Sequence, residues 1–143
     1  MKKITGLSLL LLLLATSLAG QSGQAADSQA TDSFETFWQA FRAAVSKRDV
    51  EGVARLSKFP IGMSYGISSI KTKAQLLKRY KQVFNEQTNA AACFSKAKPE
   101  ADARNSKRFT VACPDAAGNE VVIYHFEQTR AGWRFTGLDN LNE

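Results

Sequence analysis

Apolar residues recur with two different periods along this chain, and the change from one to the other marks its layout. Phe34, Phe37, Trp38, Phe41, Ala44 and Val45 fall at offsets 0, 3, 4, 7, 10 and 11, the spacing of one stripe on an amphipathic helix. Asp32, with Glu35 three residues later, can cap it, and the polar run Ser46-Lys47-Arg48 ends it. Asp49 can cap a second, shorter helix that buries Val50, Val53, Ala54 and Leu56, with Gly52 weakening it. Phe59-Pro60-Ile61 cannot continue a helix, because Pro60 lacks an amide donor and drives Phe59 toward extended geometry. Residues Ile61 to Ile67 read as a short extended or hairpin region interrupted by Gly62 and Gly66. A third helix begins near Thr72, which forms a capping box with Gln75. Its expected buried stripe is Leu76, Leu77, Tyr80, Val83 and Phe84, while Lys73, Lys78, Arg79 and Lys81 occupy the other positions.

From Ala90 onward the period is two. Four strands are predicted, Ala91 to Lys98, Lys107 to Cys113, Glu120 to Gln128 and Gly132 to Leu138, separated by turns at 99–106, 114–119 and 129–131. Connections this short make the strands antiparallel neighbours. The expected fold class is α+β, three N-terminal helices packed on a curved antiparallel sheet.

The N-terminus is of another kind. Lys2 and Lys3 precede an apolar run centred on Leu9 to Leu14 and a small, polar stretch to Ala26, the pattern of a secretory signal peptide over residues 1–25. Cleavage is expected after Ala25, with Ala19 as the alternative. Leu18-Ala19-Gly20 resembles a lipoprotein box, but Gln21 replaces the cysteine that would carry lipid. The apolar segment Leu7 to Ala19 is 13 residues, short of the roughly 20 that span a bilayer. Residues 26–32 read as a flexible lead and 33–143 as a single domain, since all 14 aromatics lie beyond residue 33. The expected compartment is therefore outside the cytoplasm, most simply the periplasm, with no stable membrane insertion once the signal is removed.

Without residues 1–25 the chain has 17 Lys and Arg against 13 acids, a net charge of +4. That falls short of the clustered excess of a dedicated nucleic-acid binder, so no nucleic-acid partner is expected. One histidine and two cysteines exclude zinc-finger, zinc-protease and haem-attachment spacings, and no Gly-rich phosphate loop occurs. Neither a metal nor an organic cofactor is expected.

The paired N-terminal helices, the Phe59-Pro60-Ile61 exit, the helix from Lys71 to Phe84 and the final strands ending in Gly132-Trp133-Arg134-Phe135 resemble the nuclear transport factor 2-like superfamily, the cystatin-like cone that includes the SnoaL-like proteins. The resemblance runs from about Phe34 to Leu138. It implies a cone whose bent sheet and helices enclose an apolar pocket. It leaves activity open, because that cone hosts isomerases, dehydratases, hydrolases, ligand binders and accessory modules.

A pocket of that kind would be lined by Phe37, Trp38, Phe41, Tyr65, Tyr80, Tyr124 and Trp133. The superfamily's enzymes carry carboxylates, or a Tyr and Asp pair, inside the cone. Here Asp32, Glu35 and Asp49 read as caps, Asp115 and Glu120 flank a turn, and Asp139 follows the last strand. This departure argues against isomerase- or dehydratase-like chemistry and leaves no recognisable active site. The single histidine, His125, shares a strand face with Val121 and Ile123. It is the one candidate for acid–base catalysis, set against a plain structural role.

Cys93 and Cys113 lie in strands predicted to be adjacent, and folding about Ala103 puts them opposite each other, which in an oxidising compartment favours a disulfide. A redox-active or metal-binding pair would need closer spacing. The basic residues form two groups, Lys71, Lys73, Lys78, Arg79 and Lys81 on the third helix and Lys96, Lys98, Arg104, Lys107 and Arg108 around the hairpin loop. Together they could present a surface for phosphate, anionic glycan or lipid headgroups, although such residues opposite an apolar stripe ordinarily form a solvated face. The functional expectation is an exported domain that binds a small apolar ligand or serves as an accessory module. The alternatives are a homodimer or heteromer formed through the sheet face, and an enzyme working in the cone pocket.

Overall fold

The structure, a computed structural model, describes residues 33–141. The expected signal peptide, the expected lead and the expected cap Asp32 lie outside the described residues. Helix α1 spans Phe34–Ser46, and its N-cap is Ser33, whose Oγ accepts from the Thr36 amide at 3.2 Å. It ends in a Schellman pattern in which the Arg48 and Asp49 amides donate to Val45 and Ala44. The residue at the left-handed position is Arg48, with φ of 54°. Helix α2, Val50–Arg55, is capped by Asp49, whose Oδ1 accepts from the Gly52 amide at 2.9 Å. A Cβ on Gly52 would stand 2.3 Å from Asp49 Oδ2, so a side chain there would displace the capping carboxylate.

Strand β1 (Ser57–Met63) starts earlier than its hydrophobic pattern suggests and turns at Gly66 into the two-residue β2 (Ser69–Ile70). Helix α3, Lys73–Lys81, is capped as expected by Thr72, and runs on into a π-helical turn, Gln82–Glu86. Leu76 and Tyr80 face the core, but Leu77, expected on the same stripe, is 64% exposed. Leu76, Tyr80, Val83 and Phe84 already fill the arc that meets the core.

The predicted strand from Ala91 to Lys98 does not form. Residues Ala90–Phe94 make a short helix, α4, capped by Asn89 through the Ala92 amide. Three consecutive alanines behind an Asn cap favour helix over any weak alternation. Part of the expected turn at 99–106 is instead strand β3, Glu100–Asp102. Strands β4 (Asn105–Pro114), β5 (Glu120–Thr129) and β6 (Gly132–Asn140) follow, each somewhat longer than predicted.

The strand order is β2-β1-β6-β5-β4-β3. The sheet is mixed rather than antiparallel, because β1 lies parallel to β6. Period-two patterning cannot reveal a pairing between elements so far apart in sequence. All the helices pack on one face of this curved, unclosed sheet, and the core lies between. Phe41, fully buried, meets the rings of Phe37, Trp38, Phe84, Phe94, Phe126 and Phe135 within 6.5 Å. Cys93 and Cys113 are bonded, with Cα atoms 5.7 Å apart. The pairing is the expected one, but it ties helix α4 to strand β4 rather than two strands.

Candidate functional site

The aromatic residues expected to line a pocket are packed into the core. Phe37, Trp38, Tyr124 and Trp133 are each 5% exposed or less and stand in ring contacts with neighbours such as Phe126, Phe94, Phe135 and Phe109. The three tyrosine hydroxyls close helix ends. Tyr80 donates to Val45 O at 3.1 Å, where α1 terminates. Tyr65 donates to Gln82 O at 3.1 Å and Tyr124 to Val83 O at 2.8 Å, both in the π-helical turn, whose i to i+5 pattern leaves carbonyls in need of donors. Burial pushes the Tyr80 hydroxyl up to about 12 and holds that of Tyr124 well above the usual phenol value. These groups stay neutral and fixed in place.

The other face of the sheet carries a different set of side chains. Along β4, β5 and β6 the outward positions Arg108 and Thr110, His125 and Glu127, and, on either side of the shift in pairing, Thr136 and Asp139 turn away from the core, with Lys58 and Pro60 beside them on β1. Together they bound an open cleft of about 760 Å³. Its floor is lowered where Gly62 pairs with Gly137, since a Cβ on Gly137 would stand 3.0 Å from Gly62 O. Pro60 adds apolar surface to its lining.

His125 and Asp139 meet in this cleft. His125 Nε2 and Asp139 Oδ2 are 2.7 Å apart, with the side chains 35% and 53% exposed. The contact exists because β6 extends through Asn140, two residues beyond its predicted end at Leu138, and carries Asp139 alongside His125. A carboxylate so placed orients the imidazole ring. Arg108 and Glu127, opposite each other on β4 and β5, form a second pair at 2.9 Å. Thr110 lies directly across from His125, and Thr136 Oγ1 donates to the His125 carbonyl at 3.2 Å. The cleft thus offers donors and acceptors of both charge signs around a partly apolar floor. The alternation that sets His125 with Ile123 on one face was visible in the sequence, but Asp139 read only as a carboxylate after the last strand, and Thr110 and Lys58 were not singled out. Their common signal is an outward register position on neighbouring strands, which needs the pairing to be known.

A second cleft, of about 590 Å³, lies between α4 and the turn after β4, lined by residues including Asn85, Ala92, Cys93, Lys96 and Pro114. Among the described residues no cluster of three or more His, Cys, Asp or Glu side chains could hold a metal ion, and no helix is long and apolar enough to cross a membrane.

The class defined by this architecture is an α+β domain with its helices on one face of a curved mixed sheet and an open polar cleft on the other. No protein-family model matches the chain, and no curated protein matches it. Solved structures with a similar layout include an NTF2-like protein with a cystatin-like fold from Novosphingobium aromaticivorans, at 14% identity and a TM-score of 0.44, covering 87% of this chain and 90% of that one. LinA is similar at 15% identity and a TM-score of 0.42, covering 79% and 84%. An NTF2-like protein of unknown function from Pseudomonas putida KT2440 is similar at 11% identity and a TM-score of 0.40, covering 78% and 84%. These neighbours are of the kind that the resemblance in the sequence implies.

Proposed function

We propose that this chain is an exported, periplasmic binding module of accessory type that seats a small ligand in the cleft on the open face of its sheet. The observation that carries the reading is the contrast between the two faces. The helix side is filled by stacked aromatics, whereas the open side has a glycine-floored cleft of about 760 Å³ ringed by hydrogen-bonding side chains. The ligand this suits is small, with an apolar part resting on Pro60 and the glycine floor and a hydrogen-bonding edge at His125 and Asp139. Export is supported by the signal-like N-terminus and by the Cys93–Cys113 bridge, a bond that persists in oxidising compartments.

The test is native mass spectrometry of the chain recovered from an exporting host, compared with Thr110→Trp, which fills the cleft. A co-purified small molecule held by the parent and lost in the variant supports the reading. The same adduct held equally by both refutes this placement, and a ligand-free dimer assigns the face to a second copy of the chain.

A second reading, acid–base catalysis, is favoured by the 2.7 Å His125–Asp139 contact. It expects the co-purified molecule to be converted on incubation with the parent chain and to remain unchanged with His125→Gln. Equal conversion by both would eliminate it.

A further inference from the structure

Leu77 is one of two large hydrophobic side chains found mostly exposed among the described residues, at 64%. Its surroundings are unusual for an exposed leucine. Lys73 stands one turn before it and Lys81 one turn after it, and Ala74 and Lys78 extend the same outward arc of α3. Around this helix the sequence is free of acids: residues 52–85 contain seven Lys and Arg and not one Asp or Glu. Lys73 reaches Glu51 on α2 at 2.9 Å, and Arg79 donates to Gln82 at 2.8 Å. Lys71, Lys78 and Lys81 have no carboxylate partner among the described residues. The arc is thus a positive surface with an apolar side chain in its middle.

We propose that this face of α3 adsorbs to an anionic phospholipid surface, with the helix axis in the plane of the interface, Leu77 entering the boundary between headgroups and acyl chains, and the lysines meeting the headgroup phosphates. Charge complementarity alone would also suit a soluble polyanion. Leu77 selects the membrane, because only the bilayer interface offers an apolar place beside a layer of phosphates. Each lysine near such a surface strengthens adsorption about five-fold, and transfer of most of a leucine side chain strengthens it about ten-fold. A single leucine and a few lysines give reversible, salt-sensitive attachment and not insertion. The surface is separate from the sheet-face cleft, so ligand binding there and adsorption here can each fail alone.

The experiment is co-sedimentation of the chain, as recovered from an exporting host with its N-terminus defined by intact mass. Vesicles are phosphatidylcholine alone or phosphatidylcholine with roughly a third phosphatidylglycerol, at low and at elevated salt. The parent is expected to sediment with the anionic vesicles only, and to be released by salt. Leu77→Gln should bind about ten-fold less tightly, and the double variant Lys78→Gln, Lys81→Gln about 25-fold less tightly. Both variants alter exposed positions, and circular dichroism with thermal melting checks that the fold is kept. Four results would overturn the proposal: no sedimentation of the parent, equal binding to neutral vesicles, an unchanged Leu77→Gln beside a defective lysine variant, or full displacement by inorganic phosphate at matched ionic strength. The last two would assign the patch to soluble anions.

Discussion

Breaking the Cys93–Cys113 bridge tests how the helical layer is held to the sheet. The bridge spans a separation of 20 residues. On the chain-entropy account, opening a loop of that length releases about 3.3 kcal/mol of constraint on the unfolded chain. Unfolding entropy of about 2.1 cal/mol/K per residue, taken over residues 33–141, comes to roughly 0.23 kcal/mol/K, so Tm should fall by about 14 °C. The assay is thermal unfolding followed by circular dichroism, with and without a phosphine reductant, and with the double variant Cys93→Ala, Cys113→Ala as a second route. Reduction keeps both sulfurs in place, which matters because Cys113 is fully buried. The structure also predicts where loosening begins. Helix α4 has five residues, well below the length at which an isolated helix persists in water, and the bridge fastens it to β4. Amide exchange should therefore accelerate in Ala90–Phe94 before it does in β5 and β6. A fall in Tm of less than about 4 °C, together with unchanged exchange in α4, would refute the reasoning. It would mean that the contacts of Phe94 with Trp38, Phe41 and Tyr124 suffice to dock the helix without a covalent tie.

Three further outcomes are expected. Phe41→Ala, at the centre of the aromatic cluster with no solvent exposure, should cost about 3–5 kcal/mol in urea unfolding, and a loss below about 1 kcal/mol would show that the cluster collapses around the gap. Tyr80, pushed up to about 12, and Tyr124, held well above the usual phenol value by burial, favour the neutral phenol in the folded state. Their contribution is intact below the unfolded phenol value near 10 and is lost as pH rises through about 12 for Tyr80, so stability should decline above pH 10 and phenolate absorbance should appear together with unfolding. Arg48→Gly removes a side chain from a left-handed backbone position, φ 54°, and should raise stability by about 1 kcal/mol, measured by the shift in urea midpoint.

What was legible in the sequence is what local physics determines. Helices α1, α2 and α3 follow from 3.6-residue stripes with caps at or beside the expected positions, and β4, β5 and β6 from alternation between turns. Where two local signals competed, the weaker one misled: the stretch at Ala90 is a short apolar run that a strand could also use, yet Asn89 and three alanines make it helix. The disulfide was legible for a reason that did not hold, since an oxidising compartment and two cysteines define the pair whatever elements carry them. Leu77 falls on the expected stripe by period alone, but an arc that wide exceeds what one helix can bury against a core already filled by Leu76 and Tyr80.

The candidate site was the least legible part, and the reason lies in register. His125 was visible as a lone titratable group, and its partner Asp139 was visible as a carboxylate beyond the last strand. Nothing local joins them. Their contact depends on two more residues of β6 and on the shift in pairing between His125 and Phe126. The same holds for the cleft floor, where the parallel approach of β1 to β6 leaves little room for a side chain at Gly137, whose Cβ would stand 3.0 Å from Gly62 O. In sequence those glycines read as interruptions. In the fold Gly137 lets β1 and β6 close up beneath a ring of polar side chains, while every large aromatic of α1 is drawn to the opposite face. The aromatic stripe that suggested a ligand pocket fills the helix side of the sheet, and the proposed binding reading rests on the open side, where His125 and Asp139 meet.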